Sequence, residues 1–406
     1  MLTILHHATQ LVGLLPSGTC TVLEDGSLVI RDGFIEWVGP AAEMPVAANE
    51  RDTTWIDARG KVVLPGFIDS HTHLLFAGSR VEEFEQRLRG ISYAEIAARG
   101  GGILNTVQRV RQASKEELKA LARPRLRRML QFGVTTVEVK SGYGLTPVDE
   151  IKCLEAIAEL NAEGPCELVP TFLGAHAVPP EYRTDREGYI RSLCEDMLPV
   201  VAREGLAEFC DVFCETGVFS VAESRRILTR ARDLGLRLKL HADELTPLGG
   251  AELAAEVGAV SADHLLCISD KGIDALAASG TVATLLPGTA FFLGVDYAPA
   301  RRLIERGVAV ALASDCNPGT CMTENLPLLG SMACSRMGML PGEVVTALTL
   351  NAAAALGRRD HLGSLTPGKQ GDVIVCNISD YREIFYHFGI NQVERVIKRG
   401  RVVHAA

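Results

Sequence analysis

Eight short apolar runs, most of them separated by amphipathic segments, and β-rich stretches at both chain ends predict an α/β fold. The expected form is a (β/α)8, TIM-like barrel carrying a small β-sandwich domain built from the two termini. The runs are VVLPGFID, TTVEVK, ELVPTFLG, EFCDVFCE, LRLKLHAD, AVSADHLL, TVATLLPG and VAVALASD. Strands buried on both faces read as continuous apolar stretches, as these do. A doubly wound sheet is the alternative, and it is disfavoured because polar residues end most of the runs instead of gathering at one crevice.

Along the chain, residues 1–61 read as strands and turns, with Ser27–Ile30 and Phe34–Val38 flanking the two-residue hairpin signal Asp32-Gly33. Residues 62–363 hold the barrel runs and helical segments such as Lys115–Gln131 and Val221–Leu234. Residues 364–406 return to strands, GDVIVC and VERVIKRGRVVHA, with a hairpin at Arg399-Gly400, and are expected to join 1–61 in one discontinuous domain. No internal repeat stands out. RGGG, from Arg99 to Gly102, comes nearest to low complexity; it lacks the spacing of a phosphate-binding loop and reads as a lid over the barrel mouth.

Composition narrows the function. The 406 residues are 47% hydrophobic and 22% charged, too apolar for a disordered chain. With 41 Lys and Arg against 50 Asp and Glu, the net charge of −9 argues against a nucleic-acid partner. Eleven scattered cysteines without a CxxC pair point to reduced thiols and the cytoplasm. The opening MLTILHHATQLVGLLPSG lacks a signal peptide's basic start and apolar run, and no stretch reaches the ~20 apolar residues of a membrane helix.

Ten histidines sort into two groups. His6, His7, His361, His387 and His404 lie in flanking segments and read as surface or core residues. His71, His73, His176, His241 and His264 sit at the ends of barrel runs, where this fold places functional groups. In FIDSHTH, alternation along extended chain puts His71 and His73 on one face, able to meet one ion. Alone, HxH is as often a solvated or core pair as a metal site. Its recurrence with His241, His264 and Asp315 at other strand ends favours metal. Glu244, three residues after His241, is placed to ferry a proton, or else it opens the next helix as an acid favoured by the dipole.

FIDSHTH, HADE, SADH and SDCNPGT resemble the amidohydrolase superfamily, metal hydrolases with a (β/α)8 barrel and a β-sandwich made from both chain ends. Within it, HTHLLFAGSR, VEVKSGYGL, FLGAHAVP, LHADEL, SADHL and ASDCNPGT are similar to the branch that opens the ring of 4-imidazolone-5-propanoate in histidine degradation. The similarity spans nearly the whole chain. It implies that His71, His73, His241 and Asp315 hold one Zn²⁺ or Fe ion. It further implies that Glu244, His264 and Asp315 are catalytic, and that Arg80, Tyr143, His176, Glu244, Asn317, Gly319 and Thr320 meet the substrate in a cytoplasmic homodimer. Arg80 would offer a planar fork to the propionate. Asp315, with its second oxygen free, would take the proton of the attacking water, and Glu244 would pass one to the leaving nitrogen. Lys140 ends the second run, and no lysine ends the fourth, so a single ion is expected rather than two bridged by a carboxylated lysine. The alternatives are an aminohydrolase acting on a guanine- or cytosine-like ring, and a barrel that binds without catalysis.

Overall fold

The computed structural model describes residues 1–45, 53–91, 95 and 101–406. Of the RGGG run, Arg99 and Gly100 lie outside the described residues, and so does the lid expected there.

Two sheets organise the described residues. The first is mixed and is built from both chain ends: β1 (Leu2–Leu14), β2 (Cys20–Arg31), β3 (Phe34–Pro40), β4 (Thr53–Asp57) and β5 (Val62–Pro65) join β14 (Val373–Cys376), β15 (Val393–Lys398) and β16 (Arg401–Ala405). Its order is β16-β15-β14-β5-β1-β2-β3, with β4 paired to β1. The two hairpins fall where the dipeptides place them: Asp32 and Gly33 have φ of 51° and 91°, and Arg399 and Gly400 have 48° and 74°. Positive φ at both central residues matches the right-handed twist of paired strands.

The second sheet is the barrel: β6 (Phe67–Asp69), β7 (Val134–Lys140), β8 (Glu167–Ala175), β9 (Phe209–Cys214), β10 (Arg237–Ala242), β11 (Ser261–His264), β12 (Val282–Leu285) and β13 (Val310–Leu312). Every neighbouring pair is parallel. Helices cover its outside, and β7 is buried along its whole length. The helices begin on strong local signals. Ser114 with Glu117, and Ser220 with Glu223, form reciprocal capping boxes at the starts of Lys115–Gln131 and Val221–Asp233.

One barrel run divides. VVLPGFID, expected as a single barrel strand, is two strands in two sheets. β5 pairs with β1 and β14, and only Phe67–Asp69 enters the barrel, beside β7. Gly66 makes the change of sheet possible, because a Cβ there would stand 2.5 Å from Thr135 Oγ1. The seam between β13 and β6 closes beyond the strand ends. Thr72 and Cys316 form a parallel bridge, with His73 N donating to Cys316 O at 3.1 Å and Asp315 N to His71 O at 2.9 Å. The seam is therefore sewn by the two segments that carry His71, His73 and Asp315. Among the described residues, no helix is long and apolar enough to cross a membrane.

Candidate metal centre and cavity

His71 and His73 leave β6 on the closing seam, His241 lies near the end of β10, His264 ends β11, and Asp315 follows β13 by three residues. All five are buried at the barrel mouth. Donor atoms of His71, His73 and Asp315 lie within 4.8 Å of one another, and so do those of His71, His241 and His264. Asp315 Oδ1 stands 3.5 Å from Nε2 of both His71 and His73, and the Nε2 atoms of His73 and His241 are 3.3 Å apart. A tetrahedral ion with bonds of about 2.0–2.1 Å sets neighbouring donors about 3.3–3.4 Å apart. His71 Nε2 is buried with no hydrogen-bond partner, while its Nδ1 lies 2.6 Å from the Asp263 carboxylate and donates to it. That leaves the Nε2 lone pair turned towards the other donors. Burial holds His71, His73 and His264 well below the ordinary imidazole value, which favours the neutral ring that a metal ligand needs at His71 and His73. The donor set fits a metal ion.

Backbone conformation also marks the place. Asp243, His264, Leu265 and Asp315 have φ between 48° and 78°. Non-glycine residues adopt this region at a cost and gather where the surroundings demand it. Three of the four are Asp or His, types that enter this region more readily than most residues, and no glycine precedes or follows any of them in the sequence.

A cavity of about 600 Å³ opens beside the donors, lined by His73, His241, His264 and Asp315 together with Arg80, Tyr143, His176, Glu244, Asn317 and Thr320. Two of the expected residues do not line it. His71 is fully buried, and Gly319 belongs to the turn that its N–H ties to Asn317 Oδ1. Glu244 belongs to the loop after β10, since the next helix starts only at Gly250; the helix-start alternative does not hold. Its carboxyl lies 3.5 Å from His264 Nε2 and is pushed well up by burial, with the Asp315 and Glu215 carboxylates adding to the effect. Burial likewise raises Asp315 to about 6. The second Asp315 oxygen is not free as expected: Oδ2 accepts from Thr289 Oγ1 at 2.6 Å and more weakly from Thr320 Oγ1 at 3.4 Å.

His176 Nδ1 lies 3.0 Å from Gly142 O. A carbonyl can only accept, so the proton is on Nδ1, and burial lowers the ring to about 3, leaving Nε2 as an acceptor. Asn317 is occupied by its own turn: Oδ1 accepts from Gly319 N and Thr320 N at 2.8 Å, and Nδ2 donates to Asp315 O at 2.7 Å. Arg80 Nε donates to Glu83 Oε2 at 2.8 Å.

The structure adds residues that sequence reasoning did not single out. Arg87 also lines the cavity, and its guanidinium donates to Gly319 O at 3.2 Å. It lies seven residues after Arg80, two helical turns along one face, a spacing that could have revealed it. Asp211 and Asp263 stand behind His241 and His71, at 2.9 and 2.6 Å from their Nδ1 atoms. Their signal is an acid inside a strand that is otherwise apolar. Lys140 Nζ donates to Glu138 Oε1 at 2.9 Å and Asp211 Oδ2 at 2.8 Å. Burial works against its charge, yet Asp211, Glu138 and Asp263 more than offset that and raise its pKa. A carbamate on this nitrogen would add a further negative charge among three carboxylates.

Barrel, converging imidazoles and buried acids define a metal hydrolase. The amidohydrolase family model matches residues 62–403. An imidazolonepropionase of Porphyromonas gingivalis is 52% identical over 384 residues, covering 95% of this chain and 90% of the relative. One of Symbiobacterium thermophilum is 54% identical over 385 residues (94% and 91%), and one of Brevibacillus brevis 49% over 413 residues (99% and 97%). Among solved structures, an atrazine chlorohydrolase of Arthrobacter aurescens complexed with zinc superposes with a TM-score of 0.73 at 17% identity, covering 99% of this chain and 95% of that one. An E. coli guanine deaminase gives 0.74 at 17%, covering both chains fully. At such identities these two structures share the fold and no more. The chain belongs to the amidohydrolase family and, within it, to the imidazolonepropionase family.

Proposed function

We propose that the chain hydrolyses the ring amide C–N bond of 4-imidazolone-5-propanoate, giving N-formimidoyl-L-glutamate in histidine degradation. The observation that carries this proposal is one cavity holding both a buried His/Asp donor cluster with the Glu244 carboxyl beside it and the two guanidinium groups of Arg80 and Arg87. A neutral ring needs the first and a propionate tail the second. A guanine- or cytosine-like ring has no carboxylate for the cations to meet.

His71, His73, His241 and Asp315 would hold one Zn²⁺ or Fe ion, the choice between them resting with availability as much as with ligand type. Such an ion makes water acidic enough to ionise near neutral pH and polarises a carbonyl oxygen. Asp315 accepts the proton of the attacking water on a carboxylate already steadied by Thr289. His264 orients the attacking oxygen and steadies the charge that develops on the ring carbonyl oxygen. Glu244, whose carboxyl is pushed up by burial, delivers a proton to the ring nitrogen as the C–N bond breaks. The water oxygen thus ends in the new carboxyl group; one water proton goes to Asp315 and from there restores Glu244, which gave its own to the nitrogen, and the other leaves to solvent as the new carboxyl ionises. His176 Nε2 accepts from the ring, and Tyr143 packs beside it, with ring centres 5.3 Å apart. Asn317 and Thr320 shape the floor, and Gly319 acts only through the turn that holds them.

One ion per chain is supported by Lys140, whose ammonium is taken up by Glu138, Asp211 and Asp263. The cytoplasm is supported by eleven unpaired thiols. A homodimer without nucleic acid completes the picture. The test is incubation of metal-loaded protein with 4-imidazolone-5-propanoate, guanine and cytosine: loss of the imidazolone absorbance with formation of N-formimidoyl-L-glutamate is expected, and ammonia release from a nucleobase alone would refute it.

A further inference from the structure

Beneath the donor cluster the barrel interior is charged where apolar side chains usually fill it. Glu138 and Lys140 from β7, Asp211 from β9, Lys239 from β10 and Asp263 from β11 are all fully buried. Three carboxylates face two ammonium groups. Lys239 is committed to Glu138 Oε2 at 2.8 Å and Ser70 O at 2.9 Å, and it approaches Asp263 only to 4.0 Å. Lys140 is the hub: besides its bonds to Glu138 and Asp211, its Nζ lies 3.7 Å from Asp263 Oδ2. Among the described residues, no other Lys or Arg comes within 4.0 Å of Asp211.

Of the three carboxylates around Lys140, Asp211 and Asp263 are the two that touch the donor histidines from behind. Asp263 Oδ2 accepts from His71 Nδ1 at 2.6 Å, while Oδ1 takes Ser261 Oγ at 2.6 Å. Asp211 Oδ2 lies 2.9 Å from His241 Nδ1, off the in-line direction of a good hydrogen bond, while Oδ1 accepts His241 N at 3.1 Å. The backbone of Lys140 is tied to the same segment, its N–H donating to Thr72 O, between His71 and His73, at 3.0 Å.

We propose that Lys140 is a positioning residue of the metal centre, its buried ammonium pinning Asp211 and Asp263 so that His241 and His71, from segments far apart in sequence, present Nε2 to one ion. This rests on the assignment of His71 and His241 as ligands. Two buried carboxylates with no cation between them would repel and turn away, and the ring behind each would lose its orientation. A lysine that only filled space would leave the ligand geometry untouched when replaced by an apolar side chain of similar length.

The experiment uses the full chain loaded with Co²⁺, whose visible d–d absorption reports ligand geometry, in wild type, Lys140→Met and Lys140→Met/Glu138→Gln. The double variant restores the buried charge count while leaving Asp211 and Asp263 without their shared cation, so it stays readable if the single variant does not fold. The expected result is an altered d–d spectrum and about 10–100-fold weaker cobalt retention against a chelator in each variant that folds, the range measured when outer partners of metal ligands are removed. A spectrum and retention equal to wild type in the double variant would overturn the proposal. If wild type itself binds no cobalt, the ligand assignment fails first, and the proposal with it.

Discussion

Glu244 and Arg80 line the same cavity and have separable tasks. Glu244→Gln keeps the shape and removes the transferable proton. It should retain the metal and lower kcat by about 10²–10⁴-fold, the usual worth of a positioned acid. Loss of metal with unchanged turnover per bound ion would make Glu244 structural instead. Arg80→Met removes a charged hydrogen bond worth about 1.5–3 kcal/mol, roughly 10- to 100-fold, and should raise KM for the propionate substrate while metal content and kcat hold. A drop in kcat alone would contradict that role. At this scale the donors were legible because each histidine or aspartate closes an apolar run, where a parallel barrel exposes side chains. The hub at Lys140 was not. Which inward residues of β7, β9 and β11 meet depends on the stagger between strands, and no local stretch of sequence records it.

The elements read well where turn and cap chemistry is local and badly where a sheet changes partner. Asp32-Gly33 and Arg399-Gly400 make their hairpins as composed. VVLPGFID misled, because an apolar run of that length looks the same whether it lies in one sheet or passes between two. Gly66 at that passage is testable. Gly66→Ala places a methyl 2.5 Å from Thr135 Oγ1 and 2.6 Å from Thr135 Cγ2, an overpacking that should cost about 1–3 kcal/mol, read as a lower urea midpoint. An unchanged midpoint would show that the joint has slack. The helix Val221–Asp233 offers a pH test. Arg186 pairs with Glu223, and that bond, with the capping contacts of Ser220, lowers the carboxyl from its ordinary 4.5 to about 2. A depressed carboxyl stabilises the fold above its unfolded value and loses that contribution as pH falls towards the folded one. The stability difference between wild type and Arg186→Ala should therefore be full at pH 6 and shrink between about pH 4.5 and 2. A difference that grows on acidification would contradict the pairing.

For the whole molecule, the chain leaves one sheet, winds the barrel and returns to the sheet it left. The barrel seam is closed by the same backbone that carries His71, His73 and Asp315. The seam that closes the barrel is thus part of the site, and residues from both ends of the barrel sequence meet closely there. The architecture was legible from the rhythm of apolar runs, whereas the seam was not, since it is made by loop residues outside every strand. The central claim is that a single ion held by three histidines and Asp315 drives opening of the imidazolone ring. The most direct measurement is turnover of 4-imidazolone-5-propanoate by metal-free protein titrated with Zn²⁺ or Fe²⁺ against metal bound per chain. Activity should rise linearly from near zero and level off at about one ion per chain. Full activity without metal, or a rise that needs two tightly held ions, would contradict it.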